Sequence, residues 1–294
     1  MYDLLLAAAL LSQGPGQPVG HLIIAGGGET VPEICGQALQ LAGGKRARVL
    51  VIPHASEDND SGPESQVMWR QAGAGQVAVL DLKDRAAALA AIRQADLIWM
   101  PGGDQTRLMQ ILRQQGLVEP LRERFRQGAT VGGTSAGAAV MSPAMLTEAA
   151  QLETVLADAA KMPEGLGLWP GVIVDQHLVR RCRFNRLLGA VLNHPEYVGI
   201  GIDECTAVVV TGRTFEVIGR SNVLVVDARK TRMLPAKAGE PEAAADVSLH
   251  VLRAGMRFDL DRGLLSPPQI YAQGGIPRPH GPHPVPAVRV SQSK

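Results

Sequence analysis

Aromatic side chains are scarce in this chain: three Trp, three Tyr and four Phe in 294 residues, or 3%. Its core must therefore be built from Val, Leu, Ile and Ala, which a 46% hydrophobic composition supplies in quantity. Cysteine is scarcer still. Cys35, Cys182 and Cys205 form neither a paired framework nor a zinc spacing, so they say nothing about redox compartment. A large excess of one charge is also missing. The formal net charge is +1, which argues against a nucleic-acid binder, whose surface carries a basic face. No run approaches the ~18–20 apolar residues of a membrane-spanning helix.

What is present is length enough for a substantial core without staples, in one large domain or two small ones. Residues 1–20 read as an N-terminal extension. Leu4–Leu11 is an apolar octet followed by the small-residue stretch Ser12–Gly16, like the core and cleavage region of a secretory signal, yet Met1-Tyr2-Asp3 carries no Lys or Arg. A clipped signal implies a secreted or periplasmic protein, and a plain extension a cytoplasmic one. Residues 274–294 hold Pro277, Pro279, Pro282, Pro284 and Pro286 and read as an extended or disordered tail. Between them, residues 21–273 form a single domain with no linker and no internal repeat.

Short apolar runs alternate with helical stretches through the first half of that domain. Strands are expected at His21–Ala25, Arg48–Pro53, Gln76–Leu80, Leu97–Met100 and Thr130–Gly132. Helices are expected at Pro32–Leu41, Asp84–Gln94, Gln105–Gln127 with a break near Gly116, and Ala138–Met141. This pattern indicates an α/β fold, a mainly parallel sheet with helices on both faces. The strands are apolar throughout, as strands covered on both sides are. The second half changes character. A strand at Val172–Val174 and a helix at Arg183–Asn193 precede closely spaced strands at Ile200–Asp203, Ala207–Val210, Phe215–Ile218 and Val223–Val226, and Ser248–Leu252 adds another. These read as antiparallel hairpins added to the main sheet as a C-terminal extension.

In a parallel sheet, functional groups belong at the carboxyl ends of the strands, and the chemically interesting residues fall there. Gly133-Thr134-Ser135-Ala136-Gly137 fits G-x-S-x-G, a strand-to-helix turn that presents a nucleophilic serine. Ser135 then sits at a helix N-terminus, where the Ala136 N–H points at any oxyanion that forms. Among seven histidines, His280 and His283 lie in the Pro-rich tail, His21 precedes the first strand, His250 lies within a strand, and His194 ends a helix before Pro195. His54 remains possible. His177, just after the Val172–Val174 strand, shares the rim with Ser135 and is favoured as general base. Asp203 or Glu204, at the next strand end, can supply the acid that orients it. Gly102-Gly103-Asp104-Gln105 follows another strand. There Gly103 N–H is a second oxyanion donor, Gln105 can bind substrate amide or carboxylate, and Asp104 can cap the following helix. Arg180, Arg181, Arg183 and Arg186 lie within seven residues, and no acidic residue occurs from Gln176 through Pro195. Such a group of guanidiniums beside a serine and a histidine suits substrate carboxylates, which Arg binds bidentately.

Six segments in order resemble peptidase family S51, most closely its cyanophycinase branch: Ile52-Pro-His-Ala-Ser56, Gly102-Gly-Asp-Gln105, Gly133-Thr-Ser-Ala-Gly-Ala-Ala139, Gly165-Leu-Gly-Leu168, Asp175-Gln-His177 with the arginines after it, and Gly199-Ile-Gly-Ile-Asp-Glu204. The resemblance spans roughly residues 21–270. It implies a fold related to the class I glutamine amidotransferases, with serine in place of their cysteine. It implies Ser135 as nucleophile, His177 as base and Glu204 as the orienting acid, with Gln105, Asp175, Gln176, Arg181, Arg183 and Arg186 shaping the substrate pocket. It also implies a serine exopeptidase that releases β-Asp-Arg dipeptides from cyanophycin, a poly-aspartate carrying isopeptide-linked arginine. The expected alternatives are an α-aspartyl dipeptidase or a silent binding homologue. No metal or cofactor is implied, and a homodimer is. The chain departs from the family pattern at Cys182, where a small residue is usual, and in the extra charge of Arg180.

Overall fold

The computed structural model describes residues 20–147, 154–157, 162–234 and 236–267. The residue 1–19 part of the N-terminal extension and the Pro-rich tail lie outside the described residues. The first half runs β1 (Leu22–Ala25), α1 (Pro32–Leu41), β2 (Arg48–Val51), α2 (Ser61–Gln71), β3 (Gln76–Val79), α3 (Arg85–Gln94), β4 (Leu97–Met100), α4 (Gln105–Gln114), α5 (Val118–Arg126), β5 (Thr130–Thr134) and the single-turn α6 (Ala136–Ala139). The second half runs β6 (Val172–Gln176), α7 (Phe184–Asn193), β7 (Val198–Ile202), β8 (Thr206–Thr211), β9 (Thr214–Gly219), β10 (Val223–Asp227), β11 (Arg232–Leu234), β12 (Ala243–Ala245), β13 (Ser248–Leu252), β14 (Arg257–Asp259) and β15 (Leu264–Ser266).

Local chemistry sets the helix ends. Asp84 caps α3 by accepting the Ala86 and Ala87 N–H groups at 2.8 and 3.1 Å, and Asp104 caps α4 through Thr106 and Arg107. Gly116, at φ +65°, stops α4 where the sequence anticipates a break. The sequence pattern passes over α2, because its buried face holds Gly62, Ser65 and Trp69 rather than an apolar stripe. Trp69 nevertheless anchors it edge-on against Trp99, with ring centroids 5.2 Å apart.

Nine strands form one sheet in the order β15-β14-β9-β8-β1-β5-β4-β2-β3. The β1-β5-β4-β2-β3 part is parallel, and β8, β9, β14 and β15 extend it in antiparallel fashion from β1. Alternate residues divide between two cores, as the strand pleat requires. Ile23, Ala25, Val49, Val51, Leu97 and Trp99 face α1 and α2, whereas Leu22, Ile24, Leu50, Ile98 and Met100 face α3, α4 and α5. The β11–β12 hairpin stands apart.

One expectation needs correction. The strands β7 and β10 do not join the main sheet as hairpins. With β6 and β13 they form a second, four-stranded sheet in the order β13-β10-β7-β6, whose β6–β7 pair is parallel. The reason lies in the two faces of β7. Ile200 packs into the core shared with the main sheet. Gly199 and Gly201 face the other way, where a Cβ would come within 2.7 Å of Val191 and 2.3 Å of Leu178. Alternating glycines therefore make room for α7 and Leu178, and the second sheet lies between α7 and the main sheet. Buried Ser142, just beyond α6, accepts the Val174 N–H at 2.8 Å and so ties β6 to the segment that follows Ser135. Among the described residues no helix is long and apolar enough to cross a membrane.

Adding a methyl at position 201 forces buried Leu178 to move. We expect Gly201→Ala to destabilise the fold by ~1–3 kcal/mol, the usual cost of overpacking. Urea unfolding followed by circular dichroism reads this, and an unchanged midpoint would show that the α7 layer yields freely.

Candidate active site

Five strand ends converge on one rim. Ser135 follows β5, Gly26–Gly28 follow β1, Gly102 and Gly103 follow β4, His177 follows β6 and Glu204 lies just beyond β7. Ser135 has φ 53° and ψ −112°, a strained conformation for a residue with a Cβ. Its neighbours explain how it is held. A Cβ at Gly137 would sit 1.9 Å from the Met100 carbonyl oxygen, and one at Gly133 would sit 2.5 Å from the Gly137 backbone. The glycines of the motif thus allow β5 to turn at once into α6. That helix begins two residues earlier than anticipated: Ala136–Ala139 in place of Ala138–Met141. A single turn has little macrodipole, so any oxyanion help here comes from individual N–H groups.

The residues brought together by the rim form a continuous hydrogen-bonded chain. His177 Nε2 lies 2.9 Å from Ser135 Oγ, and His177 Nδ1 lies 2.7 Å from Glu204 Oε1. This settles which of the two adjacent acids meets the imidazole. Asp203, 8% exposed, instead accepts the Val179 and Arg180 N–H groups at 3.2 and 3.0 Å and the Ser221 hydroxyl at 2.9 Å. It holds the loop that follows His177.

The other histidines fall elsewhere. His21 Nδ1 meets Thr211 Oγ1 at 3.0 Å, His250 packs edge-on against Phe258, and His194 lies 3.4 Å from Glu196. Burial lowers the His54 pKa, with Arg107 adding to the shift, and its Nδ1 has no hydrogen-bond partner among the described residues.

The turn Gly26–Gly28 after β1 also holds the site together. Gly26 O accepts the His177 N–H at 2.7 Å, and Gly27 O accepts the Cys205 N–H at 2.9 Å. A Cβ at Gly27 would lie 2.2 Å from the His177 ring. Three successive glycines at a strand end were the available signal of a close approach. The Gly102–Gly103 turn also reaches the serine, since a Cβ at Gly102 would sit 3.5 Å from Ser135 Cβ.

His177 is 5% exposed, and its pKa is lowered. Burial is the leading cause, Arg181 and Arg183 contribute in the same direction, and Glu204 opposes them. A neutral imidazole bonded to a hydroxyl can take its proton, and the carboxylate on its far side can stabilise the cation that results.

The remaining predicted pocket residues separate into two groups. Asp175 is fully buried and is paired with Arg186, whose side chain is 7% exposed; Arg186 Nε reaches Asp175 Oδ2 at 3.1 Å. Gln105 Nε2 donates to the Leu146 carbonyl at 2.8 Å. Buried Gln176 accepts from Arg183, whose Nη1 also reaches the Gln176 carbonyl at 2.9 Å. Arg183 has no carboxylate at ion-pair distance among the described residues; burial, Arg186 and Arg181 pull its guanidinium down to about 10, with Asp175 opposing them. The Arg181 guanidinium, exposed, has no hydrogen-bond or ion-pair partner among the described residues. Arg180, largely exposed, stands 4.0 Å from Glu204 Oε2. Arg181 and Arg183 are thus the arginines of this run without a carboxylate at ion-pair distance among the described residues.

Comparison with known proteins shows the family. The model of peptidase family S51 matches residues 22–218. The chain belongs to peptidase family S51. It is a serine-type peptidase. A cyanophycinase of Geminocystis herdmanii is 38% identical over 251 residues, covering 81% of this chain and 92% of that one. A cyanophycinase of Trichormus variabilis is 38% identical over 230 residues, 74% and 77% of the two chains. The crystal structure of a peptidase from an acI-B1 actinobacterium superposes with a TM-score of 0.58 at 24% identity, over 83% of this chain and 98% of that one. That likeness supports the fold.

Two outcomes follow from the site. The His177 imidazole should titrate in NMR spectra with a midpoint below the usual 6.5, and Glu204→Gln should move it lower still by removing the group that raises it. The unfolded chain binds that proton more readily, so this residue's contribution to stability is present above pH 6.5 and fades as the pH falls toward the depressed native value. Asp175→Ala, which removes a partner of buried Arg186, should cost ~3–5 kcal/mol of stability in chemical unfolding.

Proposed function

We propose that this protein is a cyanophycinase, a serine exopeptidase that cleaves the aspartyl backbone of cyanophycin and releases β-Asp-Arg dipeptides. The observation that carries the reading is the Ser135–His177–Glu204 chain at 2.9 and 2.7 Å, set beside guanidiniums without anionic partners. The identity of the cyanophycinase relatives supports the choice of substrate.

In this reading Ser135 Oγ attacks the carbonyl of an aspartyl residue while His177 Nε2 takes its proton. Glu204 holds the imidazole by its Nδ1–H and stabilises the imidazolium. The N–H groups of Gly103 and Ala136 receive the oxyanion. The imidazolium then protonates the departing amine, leaving an acyl-enzyme on Ser135. Water, deprotonated by His177, attacks that ester and regenerates the hydroxyl. Arg181 and Arg183 bind the carboxylate of the aspartyl unit, while Gln105 and Gln176 shape the wall. Asp175 and Arg186 support the pocket from beneath, through their mutual contact and the charge that Arg186 places beside Arg183. The family resemblance also supports a homodimer, which sedimentation equilibrium would report as about twice the chain mass.

Purified protein should convert cyanophycin to β-Asp-Arg, identified by mass. Ser135→Ala should lower turnover by roughly 10³–10⁶-fold. Hydrolysis of Asp-X dipeptides without attack on the polymer would favour an α-aspartyl dipeptidase. Failure of a fluorophosphonate to label Ser135 would mark a silent homologue.

A further inference from the structure

From His177 through Arg183 every backbone N–H has an acceptor. His177 N–H donates to Gly26 O at 2.7 Å, and Leu178 N–H to Ile202 O at 3.3 Å. The N–H groups of Val179 and Arg180 both donate to Asp203 Oδ1, at 3.2 and 3.0 Å. Those of Arg181, Cys182 and Arg183 turn back on the segment itself, to the carbonyls of His177, Val179 and Leu178 at 2.9, 3.1 and 2.8 Å. The segment is thus a closed coil. It contains two left-handed residues, His177 at φ 52° and Cys182 at φ 51°, a conformation that persists only where the surroundings enforce it. Buried Leu178 pins the inner side of the coil against Gly201 of β7. Residues 179–182 on its outer side are exposed, and Asp203 is the side chain that accepts from their backbone.

Asp203 is itself fixed on its other side. Its N–H donates to Asn222 O at 3.2 Å, and its Oδ2 accepts the Ser221 hydroxyl at 2.9 Å. Ser221 N–H donates in turn to Thr206 Oγ1 at 2.7 Å, and the hydroxyl of fully buried Thr206 donates to the Glu204 carbonyl at 3.1 Å. A polar bracket of Asp203, Ser221 and Thr206 therefore joins the arginine coil to the strand end that carries Glu204. Hydrogen bonds to an ionised acceptor are about twice as strong as neutral ones, which suits Asp to holding two amides of a solvent-facing coil. We infer that Asp203 is a positioning residue for substrate recognition: by holding the backbone at 179 and 180 it sets where Arg181 and Arg183 meet a carboxylate, and this rests on the reading of those arginines as the carboxylate site. The triad has its own anchor in the turn after β1, through Gly26 to His177 and Gly27 to Cys205. Loss of Asp203 thus falls on the arginines before it falls on Ser135. The two adjacent acids divide the work, Glu204 serving proton transfer and Asp203 serving the grip on substrate.

The test compares β-Asp-Arg oligomers ending in a free carboxylate with the same oligomers ending in a carboxamide, on the full-length enzyme, alongside the rate at which a fluorophosphonate labels Ser135. Asp203→Ala should lower the carboxylate preference in kcat/KM roughly tenfold, mainly through KM, while labelling falls less than about threefold, the first figure being the range of one charge-assisted hydrogen bond. Asp203→Asn keeps an oxygen facing the two N–H groups and should retain most of the preference. Arg181→Gln with Arg183→Gln should abolish the preference, and adding Asp203→Ala to that pair should change it no further, because all three act on one contact. Full preference in Asp203→Ala, or a fall in labelling as large as the fall in preference, overturns the assignment and leaves the hydrolase reading standing. If Asp203→Ala does not fold by circular dichroism, Ser221→Ala decides, since it strips Oδ2 of its partner: a lowered preference upholds the assignment and an unchanged one overturns it. If the unsubstituted enzyme cleaves neither oligomer, the substrate reading falls, and N-acetyl-L-aspartate titrated into Ser135→Ala protein by NMR tests Asp203 separately. Weaker binding after Asp203→Ala then upholds the assignment, and equal binding overturns it.

Discussion

The chemistry of this rim depends on three glycines accepting a neighbour at close range. Ser135 belongs to one sheet, and His177 and Glu204 follow strands of another. At the rim, the turn after β1 bridges them. Its carbonyls take the N–H groups of His177 and Cys205, and its missing side chain leaves the space in which the imidazole lies. Any Cβ at Gly27 would overlap the ring. Residues of two sheets are in this way brought to hydrogen-bond distance.

Much of this was readable in the chain itself. The parallel half of the sheet announced itself through fully buried runs such as Leu97–Met100 and through aspartates at helix starts. Ser135 was readable from the G-x-S-x-G pattern after a short strand, and His177 from its place just past the apolar run Val172–Val174, at the same rim. The second sheet was not readable. Ile200 and Val225 look the same whether their backbone pairs with one sheet or with another, because an apolar strand reports that it is buried and not against what. Glycines 199 and 201 held the information, yet only the positions of Leu178, Leu187 and Val191 give it meaning. The choice between Asp203 and Glu204 was similarly hidden. Neighbouring strand-end residues point in different directions, so one carboxylate supports a loop and the other meets the imidazole.

Electrostatics divides the arginine run more finely than its sequence suggests. Arg186 is neutralised in the interior by Asp175, and Arg183 is half-buried against a neutral amide. Arg180 and Arg181 reach solvent. A single stretch of like charge therefore supplies an internal support, a desolvated cation and an outer rim.

Backbone strain is distributed as unevenly as charge. Of the five non-glycine residues with positive φ among the described residues, Ser135, His177, Cys182 and Cys205 stand at or beside the site, and Asp246 is the fifth. Each such residue costs of order 1–3 kcal/mol. The easiest gains in heat tolerance are therefore concentrated where turnover originates, for instance in a glycine at 205. Directed evolution for thermal endurance alone would draw on that reserve first, and hardier descendants would lose speed before losing shape.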